Sequence, residues 1–215
     1  MRKIHILGPE PDTFLDKLAP LFPEVVFSTG SSRGDLGEGF DQLDALFAFS
    51  DFLRPDSFKI SNHLRWVQSL GAGLDGMIDS PYLNETVIFS SMRGIHGPQV
   101  SELVFMLMLS LSRNYSKVMS NQLEHVWERW PGKSLQKKTV GLLGVGIISG
   151  ALAKRCKAFD MDVIGITSKP RELANYDRMV LRNELVTAVK ELDYLVVLVP
   201  LNNETSGLVD GRIFS

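Results

Sequence analysis

The feature that most constrains this chain is a strand running straight into a glycine turn and then into a helix. Thr139-Val140-Gly141-Leu142-Leu143 reads as a buried strand, Gly144-Val145-Gly146-Ile147-Ile148-Ser149-Gly150 follows with no spacer, and Ala151-Leu152-Ala153-Lys154-Arg155 is helix-forming. The next β-type run, Asp162–Thr167, completes one βαβ unit of about 30 residues. A phosphate group needs close backbone approach and free N–H donors, and a helix N-terminus offers both. Gly144 permits the tight turn, Gly146 leaves no Cβ in the way of a pyrophosphate, and Ile147 and Ile148 open the helix whose amides face it. Ser149 stands at the third position of G-x-G-x-x-G, with Gly150 one residue late; serine is still small enough for close helix–strand packing. The competing reading is a purely structural turn.

The end of the second strand sets cofactor choice. NAD binding usually places an Asp or Glu there to bond the ribose 2′-OH. Here the residues are Thr167-Ser168-Lys169-Pro170-Arg171, with no acid. A hydroxyl and two cations suit a 2′-phosphate and point to NADP rather than NAD. Against this stands the reading of Lys169 and Arg171 as a solvated loop.

Upstream, five short β-type runs (Lys3–Leu7, Glu24–Ser28, Ala45–Phe49, Leu64–Leu70 and Val87–Ser90) alternate with helical patterns or polar loops, as in Pro11–Leu21 and Gly30–Asp41. That alternation predicts a parallel sheet in a flavodoxin-like lobe. Pro98 then suits the first turn of a helix over Gln99–Asn114. Its segment Leu103–Leu109 is apolar on every side, which predicts a helix buried all round, between lobes or between subunits. Met106 and Met108 read as core packing. Residues 119–138 form a polar stretch in which Trp127 and Trp130 read as core or interface residues. After the glycine turn, a strand near Met179–Leu181, a helix over Glu184–Glu191 and a strand over Tyr194–Val199 continue the second series. The fold class is therefore α/β: a flavodoxin-like substrate lobe over residues 1–97, then an incomplete Rossmann doubly wound parallel sheet over 98–215.

Net charge is −2, which offers no electrostatic case for nucleic acid or an acidic membrane, and no apolar run approaches a membrane span. No metal site is indicated. The one cysteine, Cys156, lies among Ala and Phe on a helix, reads as a small core residue, and fits a cytoplasmic, reducing location.

Four segments in order resemble the D-isomer-specific 2-hydroxyacid dehydrogenases, nearer their glyoxylate/hydroxypyruvate reductase branch. Ser69-Leu70-Gly71-Ala72-Gly73-Leu74-Asp75 resembles the substrate-carboxylate loop, and Gly94–Glu102 the lobe-crossing segment. Lys138–Gly146 is similar to the nucleotide-binding entry, and Asp193–Leu201 with Thr205, Gly207 and Leu208 to the fourth strand and its turn. The resemblance implies hydride transfer between a nicotinamide cofactor and a small 2-oxo or 2-hydroxy acid, in a homodimer. It places the substrate carboxylate on backbone amides of Ala72, Gly73 and Leu74, and adds Val199, Pro200 and Thr205 to the cofactor site. A glycine-rich turn can point several amides at one anion, although a plain strand-to-helix turn is the bland alternative.

The same resemblance implies a catalytic Arg, Glu and His, and all three fall beyond the point matching Ser215. None of His5, His63, His96 or His125 is a replacement, and His96 reads as part of a hinge. A full dinucleotide sheet has six strands, of which four are countable, so the chain is expected to be a C-terminally truncated fragment with little or no turnover. Residues 210–215 look like the opening of a helix. Two alternatives remain: a non-catalytic nucleotide-binding or dimerisation module, and a Rossmann-type domain for another adenosine cofactor.

Overall fold

Each apolar run of the first series becomes a strand of one parallel sheet, because its flanking segments return the chain to the same end every time. The computed structural model describes residues 1–32, 40–53, 57, 63–74, 77, 80–82, 85–169 and 171–214. Cα packing divides the chain into two compact units, Met1–Arg93 and Gly94–Ser215.

In the first unit, β1 (Arg2–Leu7), α1 (Pro11–Leu18), β2 (Val25–Gly30), β3 (Ala45–Ala48), β4 (Trp66–Ser69) and β5 (Ile88–Ser91) follow one another. The strands lie in the order β2-β1-β3-β4-β5 and every pair is parallel, the flavodoxin-like arrangement that the alternation predicts. Registers of Leu7 with Ala48 and of Leu46 with Val67 put those four on one face, where Phe40, Leu43 and Met77 bury them. Side chains of the other face, including Phe27, Phe47 and Trp66, line a groove of about 560 Å³ with Leu18 of α1. Phe47 and Trp66 meet there edge-on, 4.9 Å apart. The helix expected over Pro11–Leu21 stops at Leu18: Ala19 still has helical backbone angles and donates to the Leu15 carbonyl, but Pro20 has no N–H to continue the ladder. The segment expected over Gly30–Asp41 falls mostly outside the described residues.

In the second unit, α2 (Gly97–Arg113), α3 (Tyr115–Leu123), β6 (Thr139–Leu143), α4 (Ile147–Ala158), β7 (Asp162–Thr167), β8 (Arg178–Leu181), α5 (Leu185–Ala188) and β9 (Tyr194–Val197) follow in turn. Short 3-10 turns at Arg182–Glu184 and Val189–Glu191 flank α5, so the helix expected over Glu184–Glu191 is α-helical only over Leu185–Ala188. Strand order is β8-β7-β6-β9, all parallel, which reproduces the first four strands of a dinucleotide sheet. Apolar as it is, β9 lies at the edge, with Val197 49% exposed. Residues 210–214 form turns rather than a helix; Asp210 accepts the Arg212 N–H at 2.9 Å, and Ser215 lies outside the described residues.

Two expectations need correction as far as the single chain goes. The helix Leu103–Leu109 is not buried all round: Ser101, Phe105, Met108 and Ser112 form its buried stripe, while Leu103, Met106, Leu107 and Leu111 are exposed. Phe105 meets Phe159 at 4.6 Å beyond the end of α4, so one side of α2 is packed and the opposite side is open. The polar stretch from 119 is helical as far as Leu123. Asn114 takes the left-handed conformation (φ 54°), ends α2 and starts α3 at once. Trp127 is 91% exposed, so it is not a core residue of this chain; Trp130 is half-buried, with the Lys117 ammonium 5.1 Å from its ring.

Two aspartates tie the sheet's ends together. Asp193 accepts the Lys138 ammonium at 2.7 Å and the Thr139 N–H at 2.9 Å, and Asp177 accepts the Lys157 ammonium at 2.8 Å and the Val163 N–H at 2.7 Å. The lysines foremost, with those amides, hold both carboxyls below the ordinary carboxylate range. A depressed folded-state pKa stabilises the fold above the unfolded value of about 4, and that contribution is lost as pH falls through the folded value. Melting temperature is therefore expected to decline on acidification below about pH 4. Replacing both residues with Asn should blunt that decline in thermal scans taken across pH; an undiminished decline would refute the assignment.

Candidate functional site

The glycine turn sits at the C-terminal end of β6, where parallel α/β sheets bind ligands. Gly144 has φ +100°, and a Cβ there would stand 2.8 Å from the backbone of Leu198 and Val199. Its amide donates to the Ile166 carbonyl at 2.9 Å, and the Leu198 amide donates to Leu143 at 2.7 Å, so the turn is held from both neighbouring strands. Gly146 differs. It caps α4 in ordinary extended geometry (φ −129°), and a Cβ on it would meet no atom within 4 Å. The space over Gly146 is open, and the amides of Ile147 and Ile148 belong to a helical first turn, which has no intrahelical acceptor for them. An anionic pyrophosphate fits such a cradle sterically and electrostatically.

Ser149 is 1% exposed, and its hydroxyl lies 2.6 Å from the Tyr176 hydroxyl. Thr167 ends β7, and its hydroxyl makes long contacts with the backbone of Lys169, 3.3 and 3.4 Å, that turn the chain. Ser168 and Lys169 are exposed; Pro170 lies outside the described residues. Arg171 is not merely solvated, because its guanidinium donates to the Val145 carbonyl inside the glycine turn. The structure thus brings Arg171 to the turn with Gly144 and Gly146. Val199 reaches the same turn through its backbone. Pro200 and Thr205 close a separate small turn: the Thr205 hydroxyl donates to the Pro200 carbonyl and accepts the Asn202 amide at 2.9 Å. Thr205 is buried, so its hydroxyl serves that turn.

In the first unit, the Ser69 hydroxyl shapes the loop after β4. It donates to the Gly73 carbonyl at 2.7 Å and accepts the Gly71 amide at 3.2 Å. The amides of Ala72, Gly73 and Leu74 are left without acceptors among the described residues, and such a turn can hold an anion. Asp75 lies outside the described residues. Sequence reasoning missed the Ser149–Tyr176 bond, which joins residues on different elements and leaves no local signal; the Ser69 bonds reach only to Gly71 and Gly73, and a serine entering a glycine-rich loop is the local signal for them.

Cys156 is wholly buried, and burial pushes its thiol up to about 11. It is expected to resist alkylation at pH 7.5 until the chain is unfolded, which a thiol-labelling time course with and without denaturant would check. Among the described residues, no group of three or more His, Cys, Asp and Glu could hold a metal ion, and no helix is long and apolar enough to cross a membrane.

Comparison with known proteins places the fold in a family. The chain is 30% identical over 157 residues to a hydroxypyruvate reductase of Thermotoga maritima, covering 72% of this chain and 50% of that protein. It is 27% identical over 190 residues to a D-3-phosphoglycerate dehydrogenase of Methanocaldococcus jannaschii, covering 86% of this chain and 36% of that protein. The chain thus spans between a third and a half of these two relatives. A D-isomer specific 2-hydroxyacid dehydrogenase family protein of Aeromonas salmonicida superposes with a TM-score of 0.81 at 27% identity, over 95% of this chain and 66% of that one. An NADPH-dependent glyoxylate/hydroxypyruvate reductase of Sinorhizobium meliloti, solved with NADP and sulfate, shares the fold (TM-score 0.79, 22% identity, 100% of this chain and 67% of that one). The family model for the NAD binding domain of D-isomer specific 2-hydroxyacid dehydrogenases matches residues 105–215, just over half of the chain, and the chain belongs to that family.

Proposed function

We propose that this chain serves an NADPH-dependent reduction of a small 2-oxo acid of the glyoxylate or hydroxypyruvate kind. The observation that carries the reading is the Arg171 guanidinium seated on the glycine turn, at the end of a strand that offers no acid to a ribose 2′-OH. Gly144, Gly146, Ile147 and Ile148 would hold the pyrophosphate; Thr167, Ser168, Lys169 and Arg171 would hold the 2′-phosphate; Val199, Pro200 and Thr205 would flank the dinucleotide. The amides of Ala72, Gly73 and Leu74 would bind the substrate carboxylate. Bound NADPH supplies the hydride; the residues named here bind and orient.

Titration of the chain with NADPH and NADH tests the reading. NADPH is expected to bind at least about tenfold more tightly, since a charge-assisted pair with a phosphate is worth more than 1.4 kcal/mol. Equal affinities would overturn it. Ser168→Asp should shift the preference toward NADH by repelling the 2′-phosphate. The Arg, Glu and His that the family resemblance implies match none of the 215 residues. Glyoxylate-dependent oxidation of NADPH by this chain alone is therefore expected at background level, and clear turnover would refute that expectation.

The exposed apolar stripe of α2 favours a second role, as the contact between two copies in a homodimer. The buried, protonated thiol suits a cytoplasmic setting.

A further inference from the structure

The segment joining β7 to β8, residues 168–177, has no helix among its described residues, although it carries the cations assigned to the 2′-phosphate. Such a segment has to be held by side chains if its cations are to be in place before a ligand arrives. Two contacts run from it to the glycine turn. Arg171 reaches the Val145 carbonyl, as described. Tyr176 lays its ring across β7, where Gly165 leaves the room; a Cβ at Gly165 would stand 2.9 Å from the ring. Beyond β7 the Tyr176 hydroxyl meets Ser149, in the first turn of α4, at 2.6 Å. Burial, the largest influence on it, pushes the Tyr176 hydroxyl above its ordinary range, so it is neutral at physiological pH. Ser149 occupies the position where the dinucleotide fingerprint has a small residue for packing alone, and its added hydroxyl is used on this segment.

We propose that Ser149 and Tyr176 are a positioning pair for cofactor selection. Their bond ties the segment bearing Lys169 and Arg171 to the helical turn that faces the pyrophosphate, and so sets the preference for a 2′-phosphorylated nicotinamide dinucleotide. The inference rests on the NADPH reading above. Asp177, bonded to Val163 and Lys157, anchors only the far end of the segment, at the start of β8. Without the pair, the Arg171 contact alone holds the middle of the segment to the turn, so part of its ordering falls to the binding step and ligands that use its cations are the ones weakened. NADH, held through the glycine turn, is indifferent.

The test is a titration of NADPH and NADH against the wild-type chain, Ser149→Ala, Tyr176→Phe and the double variant, with melting temperatures recorded. Tyr176→Phe keeps the ring over Gly165, and Ser149→Ala keeps a small residue against the strand. Each single variant should weaken NADPH about five- to tenfold and NADH less than about twofold. The double variant should be no worse than the weaker single, because all three lack the same bond. A wild-type NADPH preference that survives both substitutions overturns the inference alone. Equal weakening of both cofactors also overturns it, as the signature of a structural role. A wild-type chain with no preference overturns the NADPH reading and this inference with it.

Discussion

Gly146→Val is expected to reduce NADPH affinity at least about a hundredfold while lowering the melting temperature by no more than about 3 °C. Gly146 is extended, and a side chain there enters empty space; the fold loses only the small advantage of glycine over valine as a helix cap. That empty space is where the pyrophosphate is assigned. Gly144→Val should behave in the opposite order. At φ +100° a branched residue is strained by about 1–3 kcal/mol, and its Cβ would collide with the backbone after β9 at 2.8 Å. A drop of about 10 °C or more in melting temperature is expected, with loss of binding as a consequence. Thermal denaturation and NADPH titration of both variants separate the two roles. Retained NADPH binding by Gly146→Val would remove the phosphate assignment altogether.

The second large effect is expected on α2. Leu107→Glu combined with Leu111→Lys should convert a dimer to a monomer in sedimentation velocity, with little change in thermal stability. Both side chains are exposed, 51% and 74%, so charge costs the monomer little and a desolvated interface a great deal. The control lies on the buried stripe. Phe105→Ala should cost about 3–5 kcal/mol of stability, because Phe105 packs against Phe159 and the α4 side of the core. A wild-type chain that is monomeric at micromolar concentration would refute the homodimer assignment.

An apolar run such as Leu103–Leu109 shows that water is unwelcome on every side of a helix. It does not show whether one wall or two come from the same chain. Within this chain α2 packs through the stripe of Ser101, Phe105, Met108 and Ser112, and the opposite stripe stays open. The helix that opens the polar stretch was not legible for a related reason. Asn114 in a left-handed conformation both ended one helix and began another, and asparagine permits that break without requiring it. Arg171 was legible as a cation near the end of β7, but not as a partner of the Val145 carbonyl, since 26 residues of chain separate them.

The glycine turn divides along the same line. Sequence by itself determined that a buried strand enters a tight turn and a helix there, because strand period, glycine sterics and helix propensity act within a few residues. The same short-range logic determined both parallel sheets and the lack of an acid after β7. Only the tertiary structure decided that Gly144 answers to the backbone after β9 while Gly146 faces open space. It alone placed Arg171 on the turn and paired Ser149 with Tyr176. Those contacts join residues far apart in the chain, and their geometry exists only once β6, β7, β9 and α4 have packed.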